Sequence, residues 1–245
     1  MFSRIRERIT DAGAFREVEL YTVFADGRTG ARRRKAKPSS DVQEKLNARN
    51  RERRLARLIN ENFTDEDLRF DLTYAPEHLP QSDQDARREV TNYIRRLKRA
   101  YKRLGRELKY VVVTEKSSRG RYHHHMILTG GLGIQALQKL WGKGYTQAKP
   151  LLADHTGYTG LARYLLKSPL FAKSWTASRN LREPRVHTRD QQLAKKTVEQ
   201  LAVQGADAAA FYPARYAGYA FHDIDVYYNE VNRSYYLYVR MYRTG

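Results

Sequence analysis

Two alternating segments, Leu108 to Glu115 and Arg121 to Leu128, are separated only by Lys116-Ser117-Ser118-Arg119-Gly120. So short a connection between two strands forces them to pair antiparallel as a hairpin. Side chains alternate faces along a strand, so His123 and His125 point one way and His124 the other. If Ser118-Arg119-Gly120 is a three-residue loop with Gly120 left-handed, Ser117 pairs with Arg121. Counting outward from that pair, Glu115 lies opposite His123 and Val113 opposite His125. Directly opposed residues have β-carbons ~4.5–5.5 Å apart and share a face. Glu115, His123 and His125 therefore converge as a candidate metal site. One carboxylate with two imidazoles suits Mg²⁺ or Mn²⁺ with substrate oxygens, and would tolerate Co²⁺ or Zn²⁺. A different loop length would break this register.

The rest of the chain supplies a sheet and helices around that hairpin. Phe15 to Ala25 and Leu68 to Tyr74 read as strands, the second ended by Pro76. A helix is expected after Ser39-Ser40-Asp41, with Leu46, Leu55, Leu58 and Ile59 as its apolar contacts. A longer one carries Val90, Tyr93, Ile94, Leu97, Tyr101 and Leu104 at three- and four-residue steps, with Gly105 where a C-terminal cap belongs. Further helices are expected at Ile134 to Trp141, Thr156 to Lys167 and Asp190 to Gln204. Gly218 to Tyr228 and Ser234 to Tyr242 form a second hairpin. This order predicts an α+β fold with a central, mostly antiparallel sheet flanked by helices. Three segments follow: 1–60, a strand with a basic arm and helix; 61–185, the catalytic domain; and 186–245, a helix and tyrosine-rich hairpin packed on it. Nine of the eighteen tyrosines fall between Tyr212 and Tyr242. They alternate with apolar residues, which suits packing in a sheet as well as stacking on bases.

Charge narrows the partner. Lys and Arg number 46 against 27 Asp and Glu, a net charge of +19, which predicts a polyanion, nucleic acid first. Twelve basic residues against three acidic lie between Arg28 and Arg57. The first part, around Arg32, Arg33 and Arg34, reads as a phosphate-tracking arm. No apolar run reaches the ~20 residues of a membrane-spanning helix. The charged N-terminus does not read as a signal peptide. With no cysteine in the chain, a disulfide framework and thiolate-bound zinc are excluded. No Walker-type phosphate loop is present; Gly142-Lys143-Gly144-Tyr145 has the wrong spacing.

A metal at a phosphodiester needs a nucleophile, either water or a side-chain hydroxyl. In Leu161-Ala162-Arg163-Tyr164-Leu165-Leu166-Lys167, Tyr164 and Lys167 share a helical face. A nearby ammonium eases attack by a phenol whose free pKa is ~10. Tyr158 is the rival, but six residues along a helix places it about 120° around.

Three ordered segments resemble rolling-circle replication initiators of the HUH endonuclease superfamily, and most of all the replication-associated proteins of small single-stranded DNA phages and their plasmid or prophage relatives. Phe70-Asp71-Leu72-Thr73-Tyr74 resembles their first motif, His123-His124-His125 their metal motif and Tyr164-Leu165-Leu166-Lys167 their catalytic motif. A basic leader, Lys45-Leu46-Asn47-Ala48-Arg49, and the segment Trp175 to Pro184 extend the likeness over roughly residues 45–185. The resemblance implies a ferredoxin- or RRM-like core with the histidines on a middle strand. It implies Mg²⁺ or Mn²⁺ on Glu115, His123 and His125. It also implies attack by Tyr164, a 5′-phosphotyrosyl adduct, a free 3′-hydroxyl that primes replication, and Lys167 as an aid to positioning. Some relatives use two tyrosines four apart; here Gly160 stands four before Tyr164, so a single-tyrosine mechanism is expected.

The arginines expected to meet DNA are Arg32, Arg33, Arg34, Arg95, Arg99, Arg121, Arg163 and Arg179. The implied partners are single-stranded origin DNA and a host helicase and polymerase, in the cytoplasm of a bacterial host cell. Three other readings stay open: a transposase or relaxase with the same chemistry, a non-catalytic nucleic-acid-binding module, and a metal-dependent nuclease using water.

Overall fold

The computed structural model describes residues 3–24, 41–171, 174–230 and 232–244. The strands are β1 (Ser3–Ala12), β2 (Phe15–Phe24), β3 (Leu68–Leu72), β4 (Tyr110–Lys116), β5 (Tyr122–Leu128), β6 (Thr146–Pro150), β7 (Thr176–Ala177), β8 (Arg185–Asp190), β9 (Tyr219–Asn229) and β10 (Ser234–Arg243). The helices are α1 (Asp41–Asn62), α2 (Asp83–Arg103), α3 (Ile134–Trp141), α4 (Thr159–Leu165), α5 (Lys195–Gln204) and α6 (Phe211–Arg215). The fold is α+β, with two antiparallel five-stranded sheets where a single central sheet was expected. Two compact units contain them: residues 62–154 with 158–182, and residues 1–61 with 155–157 and 183–245.

The unit of residues 62–182 is built on the sheet order β6-β3-β5-β4-β7. Parity along each strand sorts its side chains. Phe70, Leu72, Tyr110, Val112, Tyr122, Met126 and Leu128 join one core with α2 and α3, the helices contributing Tyr93, Leu97, Tyr101, Leu137 and Trp141. Arg69, Asp71, Glu115, His123 and His125 fall on the opposite face. The long helix forms for reasons visible in its ends. Ser82 accepts the Asp85 N–H at 3.1 Å, Asp83 and Asp85 occupy the first turn, and Lys102 and Arg103 the last. These charges oppose the helix dipole at both ends. Leu104, expected on the apolar stripe, is the cap residue and is exposed; Gly105 follows at φ +64°.

The hairpin turn closes as the turn chemistry requires. The Ser117 N–H donates to the Arg121 carbonyl at 2.8 Å, and Gly120 has φ +75°. Glu115 consequently stands opposite His123 and Val113 opposite His125. The segment after Trp175 has a structural use. Thr176 and Ala177 pair with β4, Ser178 exchanges two hydrogen bonds with the Tyr110 backbone, and Asn180 donates to the Leu108 carbonyl.

The other unit joins both ends of the chain. Its sheet order is β8-β1-β2-β10-β9, so the N-terminal strand and the C-terminal hairpin, read apart from the sequence, share a sheet. One face is apolar: Ile5, Ile9, Val18, Leu20, Leu237 and Val239 form a core with Val198, Leu201 and Tyr212 of α5 and α6. The other face is polar and meets α1 through charge, Arg57 pairing with Glu17 and Glu19. Leu55, Leu58 and Ile59 of α1 are buried as expected, whereas Leu46 is exposed. β1 had not been read as a strand because Glu7 interrupts its apolar face. Arg215 and Tyr216 satisfy that buried carboxylate. β6 was likewise unread, and the region beginning at Asp190 enters its helix only at Lys195.

Candidate functional site

β3, β5 and β4 are adjacent, so their outward residues form one polar surface. Asp71 is directly opposite His125 on one side and Val113 is opposite it on the other. His125 shares a hydrogen bond through Nδ1 with Asp71 Oδ1 at 2.7 Å. Its Nε2 faces Glu115 Oε2 at 3.4 Å. Arg69 grips Asp71 in two-pronged fashion, Nε to Oδ1 at 3.1 Å and Nη2 to Oδ2 at 2.6 Å. Burial alone would raise the Asp71 carboxyl, but hydrogen bonds from His125 and Arg69 outweigh it and hold it below the usual carboxylate range. Asp71 thus orients the His125 ring and leaves Nε2 for a substrate or a cation. His123 is partly buried on this face, and burial followed by the neighbouring His125 lowers its pKa.

His124 belongs to the other face. It is fully buried, with Nε2 2.7 Å from the Tyr74 hydroxyl and Nδ1 2.9 Å from Thr114 Oγ1. Burial first, then the flanking histidines, pushes it down to about 3. Its ring is a core element that also lies edge-on to Trp141.

The helix bearing the candidate nucleophile is shorter than the sequence pattern suggested, Thr159–Leu165 rather than Thr156 to Lys167. Ala162 and Leu165 are buried, while Tyr164 is exposed at 46%. The Tyr164 ring meets the His125 ring edge-on at 5.5 Å between centroids. On its other side the Arg69 guanidinium lies 4.2 Å from the ring centroid. Lys167 is exposed just past the end of α4, its N–H donating to the Tyr164 carbonyl. Tyr158 separates cleanly from Tyr164. It is buried and donates to Asp65 Oδ1 at 2.7 Å, and burial followed by that carboxylate raises its pKa.

The structure brings together Tyr164, His125 and Glu115, with His123 beside them on the strand. Among the described residues, no three His, Asp or Glu side chains are gathered tightly enough to hold an ion as they stand. The donor set still fits a divalent cation chemically, since one carboxylate and two imidazoles share a face and Asp71 anchors one of those rings. Of the arginines expected to contact DNA, Arg121 lies next to the histidine strand and Arg163 next to Tyr164, both exposed. Arg95 and Arg99 are exposed on α2, on the other side of the sheet, and Arg179 is exposed after β7. Arg32, Arg33 and Arg34 lie outside the described residues. Sequence reasoning missed Asp71 and Arg69. The strand parity of Leu68-Arg69-Phe70-Asp71 placed them on one face, but only the pairing of β3 with β5 shows that this face is the histidine face.

An α+β unit with two histidines on a central strand and a tyrosine packed against one of them defines a surface suited to phosphodiester chemistry. The family model for replication-associated protein of the ORF2 type matches residues 68–169, from β3 to just beyond α4. The match links the chain to replication-associated proteins and, in general terms, to nucleic acid as partner. No curated protein and no solved structure matches the chain. Among the described residues, no helix is long and apolar enough to cross a membrane.

Proposed function

We propose that this protein is a replication initiator of the HUH type that nicks single-stranded DNA at an origin through Tyr164. The observation that carries the reading is the position of His125, which contacts Tyr164 with its edge, Asp71 through Nδ1 and Glu115 through Nε2. In the reaction, the Tyr164 hydroxyl oxygen forms a bond to phosphorus as the bond from phosphorus to the 3′-oxygen breaks. The phenol loses its proton, the departing 3′-oxygen gains one, and the 5′-phosphate stays on the tyrosine. Glu115, His123 and His125 would hold Mg²⁺ or Mn²⁺, which when bound supplies Lewis-acid polarisation of the scissile phosphate. Arg69 and His125 hold the phenol ring between them, reducing the orientational freedom lost on reaching the attacking geometry. Lys167 and Arg163 provide positive charge near the phosphate. The likeness of residues 68–169 to replication-associated proteins supports nucleic acid as substrate. The 3′-hydroxyl released by this chemistry would prime rolling-circle synthesis.

The test is incubation of the full chain with a labelled single-stranded origin oligonucleotide and Mn²⁺, resolved on a denaturing gel. A covalent protein–DNA band is expected, abolished by EDTA and by Tyr164→Phe. Cleavage that survives Tyr164→Phe without an adduct would replace the tyrosine with water as nucleophile.

A further inference from the structure

The polar face of the sheet in the unit of residues 1–61 and 183–245 carries an aromatic row that the nicking chemistry does not use. Following the pairing across the strands, Arg6 stands opposite Tyr21, Tyr21 opposite Tyr236 and Tyr236 opposite Tyr227. Because directly opposed residues share a face, three tyrosines from three neighbouring strands lie side by side. Their ring centroids are spaced 5.9 Å and 5.9 Å apart.

α1 lies over this face unevenly. Its second half is clamped: Arg57 pairs with Glu17 and Glu19, and the Arg53 guanidinium sits 3.4 Å over the Tyr238 ring and donates to the Tyr236 hydroxyl at 3.2 Å. The first half stands off. Leu46 and Asn50 there are exposed, and a cavity of about 740 Å³ remains between them and the tyrosine row. That volume is in the range of sites that hold a ligand, about 300–1,000 Å³. Arg49 stacks over Tyr227 at 4.5 Å, and Arg8, partly exposed, borders the cavity. Glu19 is the acidic residue facing these rings from the sheet, and Arg8, Arg57 and the Tyr236 hydroxyl already engage it. Aromatic cross-strand pairs also stabilise a sheet, yet these three rings remain partly exposed beneath an open cavity.

We propose that the row Tyr21, Tyr236 and Tyr227 is a stacking platform for the bases of single-stranded DNA, with Arg8 and Arg49 meeting its phosphates. Flat aromatic faces interleaved with cations suit an unpaired strand, because every base offers a π-face while duplex bases are already stacked. The inference depends on the nicking proposal only for the choice of DNA as the strand. It assigns the C-terminal tyrosines a use separate from Tyr164.

Binding of a labelled oligothymidylate to the full chain, measured by fluorescence anisotropy in a Tyr164→Phe background, tests it. Tyr21→Leu and Tyr227→Leu should each weaken binding by roughly five- to 150-fold, the value of one stacked base, while Tyr21→Phe and Tyr227→Phe should stay close to the parent. Irradiation of an oligonucleotide carrying 5-iododeoxyuridine should cross-link peptides containing Tyr21, Tyr227 or Tyr236, a readout that needs no variant to fold. Unchanged affinity in folded leucine variants, or cross-links found only elsewhere, would overturn the platform. Tighter binding of oligouridylate than of oligothymidylate would overturn DNA as its ligand. Since the background cannot form an adduct, failure of nicking in the parent chain leaves this measurement standing.

Discussion

His124 offers a sharp test of how the histidine strand divides its labour. The ring is fully buried and bonded at both nitrogens, to Tyr74 and Thr114. A neutral imidazole has one donor and one acceptor, and each hydroxyl can take either part. Burial holds the folded pKa near 3, whereas an unfolded histidine titrates near 6.5. For a base whose folded pKa is depressed, the stability contribution is complete above the unfolded value and is lost as pH falls from about 6.5 towards about 3. Between pH 7 and pH 5 the unfolded chain takes up most of a proton and the folded chain takes up none, a loss of about 2 kcal/mol. Replacing the ring by leucine removes that titration but strands two hydroxyls, at about 1–3 kcal/mol each. The parent should therefore be the more stable chain at pH 7, and the gap should narrow by about 2 kcal/mol at pH 5. Urea unfolding of both chains with EDTA present, followed by tryptophan fluorescence, measures this, because both tryptophans, Trp141 and Trp175, lie in the unit that contains His124. Asp71, Glu115, His123 and His125 titrate in both chains and largely cancel in the difference. A gap that stays constant from pH 7 to pH 5 would refute the assignment of His124 as a neutral core residue.

Other perturbations separate the site from its support. Asp71→Asn should raise the Mn²⁺ concentration needed for adduct formation by about 10–100-fold, since it loosens the anchor of His125; a metal titration of the gel assay checks this, and an unchanged requirement would remove Asp71 from the site. Tyr158→Phe should cost about 1–3 kcal/mol in urea unfolding through loss of its bond to Asp65, and adduct formation should persist in the folded variant. Gly13→Ala should lower stability, because a Cβ there would sit 2.1 Å from the Asn60 carbonyl oxygen at φ +60°; thermal melts of the two chains give the comparison. Arg121→Ala should reduce the slope of log affinity against log salt for single-stranded DNA by about 0.7 if that side chain meets one phosphate, and an unchanged slope would place it outside the binding surface.

Local chemistry decided much of what was legible before any coordinates. The β4–β5 register followed from one short loop with Gly120 at its left-handed position. That register set Glu115 beside His123 and turned His124 away from both. The long helix was readable from its apolar steps and from the charges at its ends, and the C-terminal hairpin from its alternation. These features depend on residues close in sequence, where period, turn and cap suffice. Tertiary structure decided what depends on distant partners. Asp71 meets His125 only because β3 pairs with β5, some fifty residues apart in the chain. Tyr164 and Tyr158, equivalent as phenols, part company because one is left exposed and the other is buried against Asp65. The charged strand β1 is stabilised by a carboxylate contact with α6, more than two hundred residues away. The tyrosines of the C-terminal hairpin form a row with Tyr21 because the two ends of the chain share one sheet, which no pattern within either end encodes.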